Sequence, residues 1–587
     1  MWSFLASTRR FASPAGPSSG RTSGGLRRLL AWNGPLLTSL ALGLSLLAGL
    51  LLVRLPLLDG VLFVGLAVVG VAAVIEPRVG LVAALFLGPL RAYLQTELPQ
   101  VPAQIGQLFV VLTVAAWLAR GLARRDLRIP HPPLLGPLLL FFGAALISLW
   151  DAVELPLYGV PELIKWAQIL LLFLFVSQAL SAGAGSTESA ETRLGTSAGL
   201  ETRPTRFVSK RSPSDSGVLD ARTTRLSSSK SRSGPIPLAI RNRLAWLLGA
   251  LLLTGLFQAG VGMWQFGLRG EGPDHFAILG DRFYRAYGTF EQPNPYAGYL
   301  GLMLPLALGG TWGILAAWWE SRGVNEERVD GGRVDEATHL PVPHLLIHFI
   351  PAAALLTALA MSWSRGAWLG FGAAVVVMAV ALPRKAHWGI LLVVVLVVGG
   401  LGLFATGLVP PSVAARLTSF AQYVRFEDVR GVGINDANYA VIERLAHWQA
   451  ALEMFRHNLW TGVGLGCYEP AYADVALINW PIPLGHAHNY YLTVAAETGL
   501  VGLVSYLFLW GAVFWQTWRA TRRARGFLRG IAIGLLGAWT HLSVHHLLDN
   551  LYVNNVHLHI GVLLGLLAFV IQQTGESANQ QIDQVTK

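Results

Sequence analysis

Six residues, His486-Ala487-His488-Asn489-Tyr490-Tyr491, set two imidazoles and a carboxamide where a long polar loop runs into an apolar helix. An imidazole at such a mouth is the usual proton acceptor near neutral pH, which makes His488 a candidate general base. The competing reading is a structural loop histidine. His486 beside it raises a metal site, but zinc takes three or four ligands, and no cysteine or carboxylate stands at ligand spacing here, so no metal is expected. Asn489, His486 and Glu497, the last in Glu497-Thr498-Gly499-Leu500-Val501-Gly502, are candidate substrate contacts.

Anion chemistry has its own candidates. Ser362-Trp363-Ser364-Arg365-Gly366 interrupts two apolar runs and sets one guanidinium at a membrane boundary. A snorkelling arginine is the alternative, but charged groups at membrane depth usually mark substrate paths. Arg444 alone is an ordinary helix-surface charge. Together with Arg365 it forms a two-pronged anion site, since guanidinium forks match phosphate oxygens. The stretch Arg282–Asn294 is aromatic, cationic and rich in turn residues. It suits sugar stacking and phosphate contact through Arg285 and Asn294, or else an interfacial aromatic belt. His541, His545, His546, Asp549, Asn550, His557 and His559 crowd the last spans. His541 and His545 share a helix face. The group reads as polar side chains packed inside the bundle or as an outer-face substrate contact, with a metal site as the third option.

The elements that must position these groups are membrane helices. The chain has 587 residues, 53% hydrophobic and 13% charged, with mean hydropathy +0.50. That is the composition of a polytopic membrane protein. The net charge of +11 lies in short Arg-rich loops and one polar insert, so it points to the lipid bilayer and not to nucleic acid. The single Cys467 excludes an internal disulfide.

Apolar run length predicts about fourteen (12–14) spans. They lie near Pro35–Val53, Leu57–Ile75, Val79–Leu94, Ile105–Leu118, Leu134–Trp150, Glu162–Leu180, Leu244–Leu268, Asn294–Trp319, His344–Trp363, Gly366–Leu382, Gly389–Leu408, Tyr491–Trp518, Gly530–Leu548 and Val556–Ile571. The fold expected is an all-α integral membrane protein, a helical bundle with a large outer helical loop. Basic loops at Arg120–Arg128, Arg384–Lys385 and Arg519–Arg529 are set inside by the charge bias, which leaves Arg269–Pro293 and Val409–His488 outside. The domain reading is a basic cytoplasmic tail over 1–34, an N-terminal half of about six spans over 35–180, and a disordered cytoplasmic linker over 181–243. A second membrane domain over 244–572 contains the outer loop 409–488, and a cytoplasmic tail follows over 573–587.

That loop is too long for a structureless connector. Val441, Leu445, Trp448, Leu452 and Phe455 recur on one helical face, which either roofs the bundle at the interface or packs in a small soluble cap. Gly462, Gly464 and Gly466 then read as a flexible turn and not as a phosphate loop, because no strand precedes them.

Three stretches resemble the O-antigen ligase / O-antigen polymerase family. One is Gly288-Thr289-Phe290 with Pro293-Asn294. Another is Ser364-Arg365-Gly366. The third is Arg444…Trp448, then Gly462-Val463-Gly464, then His488-Asn489 with Gly499-x-x-Gly502. The likeness spans roughly Leu244 to Ile571. It implies a C-type (GT-C-like) membrane glycosyltransferase that needs no cofactor or metal. The implied donor is a polyprenyl-diphosphate-linked glycan and the implied acceptor a glycan or lipid-linked carrier. The implied essential residues are Arg365, Arg444 and His488, working on the outer face of the cytoplasmic membrane. Direct attack on the anomeric carbon would invert its configuration. Alternatives of other kinds are a multi-span transporter of inorganic carbon or glycan, a glycan-free scaffold, and a protein O-oligosaccharyltransferase of the same superfamily.

Overall fold

The computed structural model describes residues 56–125, 130–181, 238–326, 342–418, 428–435 and 438–586. The first predicted span, Pro35–Val53, the basic tail and most of the linker lie outside them. The chain divides into two units, Met1–Val69 and Gly70–Lys587. Of the first, the described part is the start of α1 (Leu57–Ile75), whose Leu57, Val61, Phe63 and Val68 are exposed.

The second unit is almost wholly helical. In chain order come α2 (Pro77–Leu87), α3 (Arg91–Glu97), α4 (Ile105–Ala123), α5 (Leu135–Ser148), α6 (Val160–Ser181), α7 (Leu238–Met263), α8 (Pro293–Glu326) and α9 (Val342–Met361). They continue with α10 (Arg365–Ala381), α11 (Ala386–Ala405), α12 (Pro411–Thr418), α13 (Tyr439–His457), α14 (Tyr468–Ala471), α15 (Tyr490–Arg523), α16 (Gly526–His545) and α17 (Val556–Thr586). A two-stranded hairpin, β1 (Ala277–Ile278) with β2 (Phe283–Tyr284), sits in the loop before α8.

Among the described residues nine helices are long and apolar enough to cross a membrane; one bent pair and three shorter apolar helices add to them. This is an all-α polytopic membrane protein. The predicted span Val79–Leu94 is not one straight helix. α2 and α3 meet at 64°, because Gly88-Pro89 withdraws a backbone donor and crowds the preceding turn. The helix expected from 244 already begins at Leu238, and the last helix continues through the expected tail to Thr586.

Small residues let the central helices touch. Gly309 and Gly313 of α8 face Gly530 and Gly534 of α16; a Cβ on Gly309 would lie 2.3 Å from the Gly530 carbonyl oxygen. In hydrocarbon, where helices gain little from hiding apolar surface, such close approach is what holds a pair together. At the far periphery α11 is only 6% buried, an apolar rod facing lipid.

Two ends of the unit differ in chemistry. At one, the start of α10, the start of α15 and the end of α16 meet: Tyr490 N–H donates to the His546 carbonyl at 2.8 Å. At the other, Arg522 and Arg529 donate to the carbonyls that end α10, at Val380, Ala381, Leu382 and Pro383.

The described part of the long loop before α15 is folded. α13 buries Ile442, Leu445, Ala446, His447, Ala450, Ala451 and Met454. The expected stripe is therefore rotated: Leu452 is 37% exposed, and His447, off the stripe, lies inside. The helix is gripped on two sides, by Val463, Cys467, Tyr468 and Tyr472, and by Val429 and Trp480. Alanines fill the tight side and escape a search for large apolar residues. α13 also packs against α15 through Ala496 and Leu492, so the described part of the loop lies on the bundle as well as on itself.

The glycine segment is no flexible turn. Val463 and Gly464 N–H donate to the carbonyls of Ala496 and Glu497, and Leu500 N–H donates to Leu459. Gly499 (φ +61) breaks α15 where this ribbon crosses, and a Cβ there would meet the Trp460 carbonyl at 2.4 Å.

Candidate functional site

His488 is held by its neighbours. Its φ is +50, a left-handed conformation costing about 1–3 kcal/mol for a side chain of this kind. The His486 Nδ1 accepts the His488 backbone N–H at 3.0 Å, which stabilises that conformation. An accepting Nδ1 carries no proton, so neutral His486 keeps its proton on Nε2, 3.8 Å from Asp549 Oδ1. Burial, then the charge of His488, hold the His486 imidazole down at about 3 despite Asp549. His486 is thus a neutral brace.

Asp549 is the partner that sequence reading missed. Its Oδ1 stands 3.5 Å from His488 Nδ1 and accepts the Asn550 N–H at 2.9 Å. Burial pushes this carboxyl up, but the close approach of His488, with the charges of His486 and His545, outweighs it, and Asp549 stays well below the ordinary carboxylate range. A carboxylate on Nδ1 leaves Nε2 as the reactive nitrogen, the arrangement that orients a histidine base and stabilises its cation. His447 closes another side, 6.1 Å from His488 between ring centroids and stacked on Tyr472 at 4.7 Å. Burial and the charge of His488 lower His447 to about 4.

Beside this dyad lies a basin of four guanidiniums. Arg285 donates to the Ser362 carbonyl at 3.1 Å and to Asn294 Oδ1 at 3.3 Å. Asn294 also accepts from Ser364 Oγ at 2.9 Å. Asn294 therefore ties the loop before α8 to the turn that carries Arg365. Arg416, on α12, donates twice to the Trp363 carbonyl, at 3.0 and 3.3 Å. Trp363 has φ +54, a second strained residue at the site. Burial, then the charges of Arg416, Arg365 and Arg444, pull Arg285 down to about 9. Burial, then Arg365 and Arg444, pull Arg416 to about 10. Arg285 and Arg416 stay charged at neutral pH; burial lowers them most and the neighbouring guanidiniums add to it. Among the described residues neither Arg285 nor Arg416 is in a salt bridge. Guanidiniums clustered in this way suit a multiply charged anion.

The two halves lie within electrostatic reach of each other. Arg444 bonds its own Ala440 carbonyl at 2.7 Å, and its charge reaches Arg365 and His486. His545 lies next to Gly366 and acts electrostatically on Asp549. Arg285, Asn294, Arg365, Arg444, His486 and His488 thus gather.

Two expected contacts do not join them. Asn489 caps α15, accepting the Leu492 N–H at 3.2 Å. Glu497 is buried under the glycine ribbon, where it accepts the Tyr468 N–H at 3.3 Å. Arg416 was missed because one arginine in a long polar loop gives no signal; Asp549 had been grouped with the histidines around it.

The fold also supplies the carboxylate that local spacing lacked for a metal. His486, His488 and Asp549 offer ligand atoms within 4.8 Å of one another. However, His486 Nδ1 is already taken, and four guanidiniums nearby repel a cation, so the set fits a metal poorly.

Residues 350–507 match the family model described as O-antigen ligase. The match contains Arg365, Arg416, Arg444, His486 and His488 and leaves Arg285, Asn294 and Asp549 outside. No curated protein matches the chain. This is a multi-pass membrane protein whose residues 350–507 form an O-antigen ligase-type domain.

Proposed function

We propose that this protein transfers or polymerises a glycan from a polyprenyl-diphosphate donor on the outer face of the cytoplasmic membrane, without a metal and with inversion. The observation that carries the reading is the juxtaposition of an arginine basin with the His488–Asp549 pair. Arg285, Arg365, Arg416 and Arg444 bind the donor diphosphate and stabilise the charge that grows as the glycosidic C–O bond breaks. A single lost donor of this kind costs about 3 kcal/mol. His488 Nε2 takes the proton of an acceptor hydroxyl, whose oxygen bonds to the anomeric carbon from the face opposite the leaving group. Polyprenyl diphosphate departs, and His488 returns its proton to water. General-base help of this kind contributes roughly 10²–10⁴-fold.

Outer placement rests on charge: the arginine-dense loops lie at the other end of the helices from His488. A transporter would have its binding site at interrupted spans meeting at mid-membrane, whereas the arginine basin and the His488–Asp549 pair lie at helix ends, by the start of α10 and the start of α15. The test is transfer from a defined polyprenyl-diphosphate glycan by the purified chain, with EDTA present. Product with wild type and none with His488→Ala or Arg365→Ala, at normal protein levels, supports the proposal. Full transfer in both variants, or its abolition by EDTA with restoration by a divalent cation, overturns it. The product identifies the acceptor.

A further inference from the structure

An open groove of about 350 Å³ lies on the flank of α13 turned away from His447, between that helix and the segments around Asp428–Arg430 and Val475–Leu477. Small-molecule sites start at roughly 300 Å³, so the space admits a ligand and not only water. Leu445, Trp448, Gln449, Leu452 and Arg456 recur at three- and four-residue spacing and so share one face of α13. Leu445 is buried beneath the groove and the half-buried Trp448 adds an indole. At the rim stand two ion pairs, Arg430 with Asp428 at 3.6 Å and Arg456 with Glu453 at 3.4 Å; the four side chains are 44–73% exposed, so their heads are open to a ligand.

Two carboxylates and two guanidiniums cancel, so this groove does not select an anion, unlike the arginine basin. It does set acceptors and donors side by side, and the Gln449 amide supplies both. A sugar ring matches that pattern: each hydroxyl donates and accepts, and its C–H face lies well on the rigid apolar surface of an indole. The position narrows the choice of sugar. Trp448 follows Arg444 by one turn of α13, whereas His447 turns to the other side, its ring 6.1 Å from that of His488. The groove thus adjoins a basin arginine while the helix itself screens it from His488.

We propose that this groove binds uncharged sugar units of the glycan remote from the bond being made, stacked on Trp448 and bonded by Gln449, Glu453 and Arg456. The ligand class rests on the glycan-transfer reading. Remote contacts of this kind turn binding energy into orientation of the reacting end.

The test has a binding arm and a kinetic arm. The oligosaccharide of the transfer donor, freed of lipid and diphosphate, is titrated calorimetrically into the full chain in detergent with inorganic pyrophosphate present. Wild type should bind it, and Glu453→Ala should weaken binding about two- to tenfold, the span of one hydrogen bond. Leu452→Trp fills the groove from a partly exposed position and should abolish binding. In transfer assays both variants should raise KM for a donor bearing the full glycan and match wild type for a donor bearing one sugar. A KM that rises with acceptor length instead supports the groove and gives it to the acceptor chain. No oligosaccharide binding by wild type, equal binding in both variants, or equal KM shifts on long and short substrates overturns the proposal. Wild type that binds the oligosaccharide but transfers none upholds the groove and refutes the transferase reading.

Discussion

Replacing Asp549 by Asn removes one charge and little else. Asparagine keeps an oxygen for the Asn550 N–H, so the turn after α16 should hold its shape. What disappears is attraction between a carboxylate and the imidazolium that forms on His488, across 3.5 Å. At an effective dielectric of about 20 that attraction is roughly 4.7 kcal/mol. A transition state in which the proton is half transferred uses about half of it, some 2.4 kcal/mol, which is about fiftyfold in rate. The assay is kcat for glycan transfer at saturating donor, with membrane insertion checked by thermal unfolding. The expected result is a fall of about fiftyfold in kcat with donor KM little changed, because Asp549 does not touch the diphosphate. A loss below about threefold in a normally folded variant would refute the partnership and return His488 to the status of a lone loop imidazole.

Arg416→Ala should raise donor KM by about ten- to a hundredfold, the equivalent of one charge-assisted hydrogen bond of about 1.5–3 kcal/mol, read from steady-state kinetics over a donor series. Acid should destabilise the fold. His447 and His486 are held at about 4 and about 3 against about 6.5 in an unfolded chain. The unfolded state therefore binds protons that the folded state refuses, and stability present above pH 6.5 is lost as pH falls toward 4, measurable by thermal unfolding in detergent. Gly309→Leu should wreck the α8–α16 contact, since a Cβ already lies 2.3 Å from a carbonyl oxygen; sharply lower protein levels in membranes, against little change for Gly399→Leu on lipid-facing α11, check this.

Helices were legible because a bilayer demands long apolar runs, and the misread boundary at Gly88-Pro89 is a place where local backbone chemistry overrides run length. Arg365 and His488 stood out because each interrupts or borders such a run. Asp549 and Arg416 did not, since their meaning lies in a distance across the fold and not in any spacing along the chain. Glu497 and Asn489 had the chemistry of substrate contacts but are occupied by backbone groups, and a sequence does not say which backbone donors a fold leaves open. The buried face of α13 was misread for a related reason: where two surfaces clamp a helix, alanine marks the tight contact better than leucine.

The break at Gly499 makes α15 two rods on one chain. The short stub, 490–498, follows directly from His488, while the long rod, 500–523, runs down the bundle. Bilayers of different thickness tilt long rods at small cost. A hinge at Gly499, clasped from outside by Leu459 and Trp460, absorbs such tilt before it reaches the stub. The base then keeps its aim while the rod below follows the membrane, so sensitivity to lipid chain length should be low at His488 although it stands just before a 34-residue helix.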